Sequence, residues 1–176
     1  MKKVLTIALI AAGLTTGNHG AAQNNEDKSK RPSPPASVSQ KISSGATISI
    51  NYSQPSIKGR TVGKDVEPMD NKVWRTGANE ATTFETDKNI TVEGKELPAG
   101  KYGLFTIFNG NDVTVIFNKT WNQWGAFKYQ ESDDALRVKA KGANADSASE
   151  KLTFKISPAG LVTLLWGTKK VDFAVK

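Results

Sequence analysis

The stretch K-Y-G-L-F-T-I-F-N-G-N-D-V-T-V-I-F-N, residues 101–118, decides the fold class. Its first half is apolar on both faces, with Tyr102, Leu104 and Phe108 against Phe105 and Ile107, the pattern of a strand covered on two sides. Asn109-Gly110 is the strongest hairpin signal in the chain. The return run then carries Val113, Val115 and Phe117 with Ile116 opposite, so an antiparallel hairpin is predicted at the centre of a sheet.

Further strands flank this hairpin. On the N-terminal side, Ile48, Ile50 and Tyr52 alternate with Thr47, Ser49 and Asn51, and Val38 and Ile42 suggest a partner strand turned at Ser43, Ser44 and Gly45. Ile90 and Val92 lead into a turn at Glu93-Gly94-Lys95, and Pro98-Ala99-Gly100 reverses the chain again. On the C-terminal side the alternating runs are Leu136, Val138 and Ala140; Leu152, Phe154 and Ile156; Val162, Leu164 and Trp166; and Val171, Phe173 and Val175. Residues 142–149, small and polar, read as a turn region. No segment has convincing helical periodicity. The expectation is an all-β fold, an antiparallel β-sandwich or a sheet closing like a barrel, in a single domain over residues 38–176.

Two segments precede that domain. Lys2 and Lys3, the apolar run from Val4 to Leu14, and Gly20, Ala21 and Ala22 follow the order of a secretory signal peptide, predicted to be cut after Ala22. Residues 23–37 are polar and rich in proline, and read as a flexible leader. The expected destination is the periplasm or the exterior, without a membrane span, since the apolar run is far shorter than the ~20 residues a spanning helix needs. The chain has no cysteine, hence neither disulfides nor a lipid-anchoring cysteine. Its single histidine, His19, lies in the signal peptide. The exported chain would therefore have no Ser-His-Asp triad, Cys-His dyad or ordinary zinc site. No cofactor is predicted, and Asp133-Asp134 and Asn111-Asp112 are adjacent pairs rather than calcium-loop ligands. The net charge of +7 is spread along the chain rather than clustered, which together with export argues against a nucleic-acid partner.

The densest polar constellation is V-W-R-T-G-A-N-E-A-T, residues 73–82. Arginine is scarce, four against twenty lysines, and both Arg75 and Arg60 stand beside glycine-bearing loops, where a planar fork can receive carboxylate or phosphate. Arg75 either pairs with Glu80 across a turn or faces a ligand with it. Asn79 offers a donor and an acceptor, and Glu80 a general acid or base. Hydrolysis of a glycosidic bond would need a second carboxylate, for which Asp65, Glu67 and Asp70 in the preceding loop are candidates. Residues 121–134 hold Trp121, Trp124, Phe127 and Tyr129. Trp124 is expected in the core, because tryptophan is highly buried on average, while Trp121 is either a lid or a flat face for a sugar ring or partner. Three functions follow from these residues. The first is a binding module for a small-molecule, glycan or acidic peptide-like ligand, using Arg75, Asn79, Glu80, Arg60 and Trp121. The others are a carboxylate-dependent hydrolase using Glu80 and an assembly factor making contact through the aromatic loop.

The chain also resembles a family of exported bacterial proteins known as a domain of unknown function, family twenty-nine-eleven. The resemblance runs from about Pro34 to the C-terminus. It rests on Arg31-Pro32-Ser33-Pro34-Pro35, Tyr52-Ser53 with Pro55, Lys58-Gly59-Arg60, residues 73–82, Leu97-Pro98-Ala99-Gly100-Lys101-Tyr102, and Ile116-Phe117-Asn118 followed by Gln123-Trp124-Gly125. It implies export and a single domain, and brings no activity or catalytic residues.

Overall fold

The computed structural model describes residues 26–176. The expected signal peptide, its cleavage point and the first residues of the leader lie outside these. A 3-10 turn, Lys28–Lys30, is followed by strands β1 (Pro35–Lys41), β2 (Thr47–Ser53), β3 (Val73–Trp74), β4 (Ala78–Thr86), β5 (Ile90–Val92), β6 (Lys95–Leu97), β7 (Gly100–Asn109), β8 (Asp112–Asn118), β9 (Asp134–Ile156) and β10 (Leu161–Ala174). Every strand pairing is antiparallel, in the order β1-β2-β4-β7-β8-β9-β10, with β3 also on β7 and β5-β6 as a separate hairpin. The all-β antiparallel expectation is met by one strongly curled sheet, a half-barrel. Its two ends approach each other through the loop after β2, where Ile57 N–H donates to the Glu150 carbonyl and Leu152 N–H to that of Pro55.

The central hairpin is β7-β8, paired from Gly103↔Asn118 to Asn109↔Asp112. Its two central turn residues are Gly110 and Asn111, with glycine first at φ +59°, where a side chain would be strained. The two apolar faces of β7 have separate destinations. Tyr102, Leu104 and Phe108 enter the main core inside the curl, with Ile48, Ile50, Phe84, Phe117, Phe154, Trp166 and Phe173. Phe105 and Ile116 face the convex side, where they form a second, small core with Ala81 beneath Ala126 and Tyr129. That outer core explains why β7 reads as apolar throughout, and it seats the aromatic loop.

Two segments differ from expectation. Residues 142–149 are not a turn but the middle of the 23-residue β9, which pairs with β8 and then continues along β10. Apolar alternation is missing there because this arm of the β9-β10 hairpin stands largely in water. Ladder hydrogen bonds with register shifts around Gly167 hold it, rather than core burial. Secondly, β1 starts at Pro35, within the segment read as leader, and the residues before it make specific side-chain contacts.

Candidate functional site

The 73–82 motif sends its side chains three ways because the chain kinks twice, at Thr76 (φ +54°) and Asn79 (φ +55°). Trp74 and Thr76 point inward. The Trp74 indole N–H donates to the Gly77 carbonyl at 3.1 Å, and the Thr76 hydroxyl shares a hydrogen bond with that of Thr106. Gly77 is required by close approach, since a Cβ there would lie 2.7 Å from Thr82 Oγ1 and 3.3 Å from the Ser53 carbonyl. Arg75 goes to one side of this turn, and Asn79 and Glu80 to the other.

Arg75 and Glu80 do not form an ion pair, which corrects the pairing considered from the sequence. Glu80 is held instead by the N-terminal strap: Arg31 Nη1 donates to both its oxygens at 3.0 and 2.9 Å, and Lys28 Nζ donates to Oε1 at 2.8 Å. Burial acts to raise the Glu80 pKa, but hydrogen bonds, from Lys28 above all, outweigh it and bring it to about 2. Asn79 belongs to the same latch, its amide donating to the Ser33 carbonyl at 3.0 Å. These two residues thus grip the chain's own N-terminal segment. Kinking at Asn79 lets its carbonyl accept Gly125 N–H and sets Glu80 opposite Trp124.

On the other side, Arg75 lines a cavity of about 370 Å³ together with Ser33, Arg60, Asp65, Glu67, Met69, Trp74 and Trp166. The two arginines singled out from the sequence therefore meet at one cavity. Arg60 is exposed and orients its fork locally, donating from Nε to the Ile57 carbonyl and from Nη2 to that of Ser56. Arg75 is half-buried. Its Nε is hidden without a hydrogen-bond partner, and no carboxylate lies within ion-pair distance among the described residues. Burial lowers its pKa and the charge of Glu67 opposes that. Gly125 stands beside the end of this side chain, where a Cβ would come within 2.9 Å of Arg75 Nη1.

The aromatic loop is rigidly built. Buried Asn118 donates to the Gln130 carbonyl and to Asp134, and accepts Thr120 N–H, while buried Gln123 donates to the Thr120 carbonyl and accepts Lys128 N–H. Trp124 is not in the core as expected: it is 52% exposed, with Trp121 at 38% and Phe127 at 83%. The reason is local, because Phe105, Ile116, Ala126 and Tyr129 already fill the space beneath the loop. A cation sits over one face of each tryptophan, Lys101 over Trp121 at 4.4 Å and Arg31 over Trp124 at 5.7 Å. Trp121 does not line the arginine cavity.

A larger depression of about 760 Å³ lies elsewhere, lined among others by Asn71, Glu93, Asp112, Lys139 and Lys141. Its charges already have partners: Lys141 pairs with Asp112, Lys139 donates to Thr114, and Glu93 accepts Ala174 N–H. An unmatched cation marks a site better than size does, so the smaller cavity is the candidate. Sequence reasoning proposed Glu67 only as a hydrolytic partner and missed Trp166 and Arg31. Arg31 was legible as one of four arginines and in the Arg31-Pro32-Ser33-Pro34-Pro35 run, but not as the partner of Glu80, which is 49 residues away. Among the described residues, no three His, Cys, Asp or Glu side chains gather as a metal site, and no helix is long and apolar enough to cross a membrane.

Comparison with known proteins returns one family model, described as a protein of unknown function (DUF2911), over residues 33–175. No curated protein and no solved structure matches the chain.

Proposed function

We propose that this chain, which belongs to the DUF2911 family of unknown function, is an exported binding module that takes a small carboxylate- or phosphate-bearing ligand into the Arg75 cavity. One observation carries the reading. Half-buried Arg75 lines a cavity and has no carboxylate within ion-pair distance among the described residues. A half-buried guanidinium with no carboxylate partner has lost part of its hydration, and an anion entering the cavity would offset that loss with a geometry the guanidinium fork favours. Arg60 at the same cavity adds a second cation whose orientation is already set by two carbonyls.

Hydrolysis through Glu80 fits this geometry poorly. A carboxylate held ionised and occupied by two cations is a weak general acid or base near neutral pH, and Glu80 does not line the cavity that contains Asp65 and Glu67. A second reading, contact with another macromolecule, is favoured by the clustering of exposed Trp121, Trp124 and Phe127 in one rigid loop. Sedimentation of loop variants separates it from small-molecule binding.

The test of the main reading is a thermal melt of the exported chain with inorganic phosphate, citrate and simple carboxylates. A ligand at a hundred times its Kd should stabilise by about 2.7 kcal/mol, read as a raised midpoint. Arg75→Gln should fold and lose that response. An equal response in the variant, or none in the parent to any of these anions or to any amino acid, overturns the proposal.

A further inference from the structure

We infer that the ligand of the Arg75 cavity is a small zwitterion of the amino-acid or dipeptide type, with its carboxylate at Arg75 and its ammonium at Glu67. This deepens the anion-binding reading and rests on it. The first ground is the charge of the cavity itself. It is lined by two arginines, Arg60 and Arg75, and two acidic residues, Asp65 and Glu67. A bare anion would be attracted by one pair and repelled by the other. A molecule bearing both signs meets a partner for each.

The second ground is that these opposite charges have not collapsed onto one another. Glu67 is close enough for its charge to act on Arg75, yet the two are in no ion pair. What holds Glu67 away is visible. Its Oε2 accepts Met69 N–H at 2.6 Å, and its backbone carbonyl accepts the Trp166 indole N–H at 2.6 Å. Oε1 takes no hydrogen bond among the described residues, so one carboxylate oxygen is left for a donor. Asp65 is likewise anchored, its Oδ2 accepting Thr61 N–H. Preorganised, separated charges of opposite sign are what a zwitterion site needs, because ligand binding then costs little rearrangement.

Size and lining agree. At about 370 Å³ the cavity is near the lower end of ligand pockets, suited to a molecule of amino-acid or dipeptide size rather than a polymer. Met69, with Trp74 and Trp166 behind it at the same cavity, adds apolar lining for the ligand's hydrocarbon.

The test uses the exported chain, with the twenty common amino acids and the dipeptide Ala-Leu measured singly by thermal shift and calorimetry. For any that bind, the N-acetylated and the C-amidated analogues follow. Both blocked forms should bind about tenfold more weakly or worse, because each leaves one fixed charge unpaired. Glu67→Gln keeps the acceptor for Met69 N–H, and should bind free and N-acetylated forms alike. If phosphate or citrate binds and the N-acetylated analogue matches the free amino acid, or no amino acid or dipeptide binds, the zwitterion inference falls and anion binding stands. If no anion and no zwitterion binds, both fall. Retained preference for the free amine in Glu67→Gln also overturns the role of Glu67.

Discussion

Arg75 and Glu80 lie five positions apart and belong to opposite sides of one turn. Between them the chain kinks at Thr76 and again at Asn79, so neither residue keeps a regular strand's position on the sheet. Gly125 links the two sides, with φ +63° and a missing Cβ that leaves room for Arg75 Nη1 and the Phe127 ring. Gly110, at φ +59°, has open space where its Cβ would be. Alanine at Gly110 should therefore cost only the backbone term, about 1–2 kcal/mol. Alanine at Gly125 adds a collision, so it should cost measurably more and weaken any anion binding at Arg75. Denaturant melts of the two variants decide this; equal losses would mean that Arg75 and Phe127 move aside freely.

At the scale of elements, the N-terminal strap is tied to the sheet by charge. Arg31 bridges Glu26 and Glu80 and covers Trp124, and Asn79 holds the Ser33 carbonyl that follows. Since Ser33 also lines the arginine cavity, the strap forms part of that site's wall. Its attachment should depend on pH with a definite sign. Glu80 has a depressed pKa, about 2 against the ordinary 4.5, so its contribution is complete above pH 4.5 and is lost as pH falls toward 2. Protection of residues 28–33 against hydrogen exchange, taken relative to the intrinsic rate at each pH, should fall over that window, and salt should shrink the effect because it screens a partly exposed pair. Protection that stays flat from pH 5 to 2.5 would show that Glu80 does not hold the strap. The long β9 teaches the complementary lesson: its polar middle is a strand because β10 supplies a ladder along it, not because its own residues alternate.

For the whole molecule, a single sheet curled around one core leaves its convex side to be covered by loops. The 119–133 loop does this with Ala126 and Tyr129 beneath and three aromatic side chains outside. Phe127, 83% exposed, contributes little to folding, so Phe127→Ser should leave stability within about 0.5 kcal/mol. Under the contact reading, the parent chain should associate in a concentration-dependent way in sedimentation, and the Trp124→Ser, Phe127→Ser double variant should not. A parent that stays monomeric at millimolar concentration removes self-contact as that loop's role.

The sequence by itself determined what depends on neighbours along the chain. Alternation gave most strands, Asn109-Gly110 and Glu93-Gly94 gave two hairpins, and the apolar density of residues 102–108 gave the centre of the sheet. It also singled out Arg75 and Arg60, whose scarcity among lysines is visible without coordinates. Only the tertiary structure decided who meets whom. Glu80 finds Arg31 rather than Arg75, Asn79 finds Ser33, and Trp166, 91 residues on, joins Arg60, Asp65 and Glu67 at the cavity that Arg75 lines. The reason is physical: residues 54–72 have no periodicity from which a path can be read, and the curl of the sheet, a sum of twists over many strands, sets the distances at which charges pair.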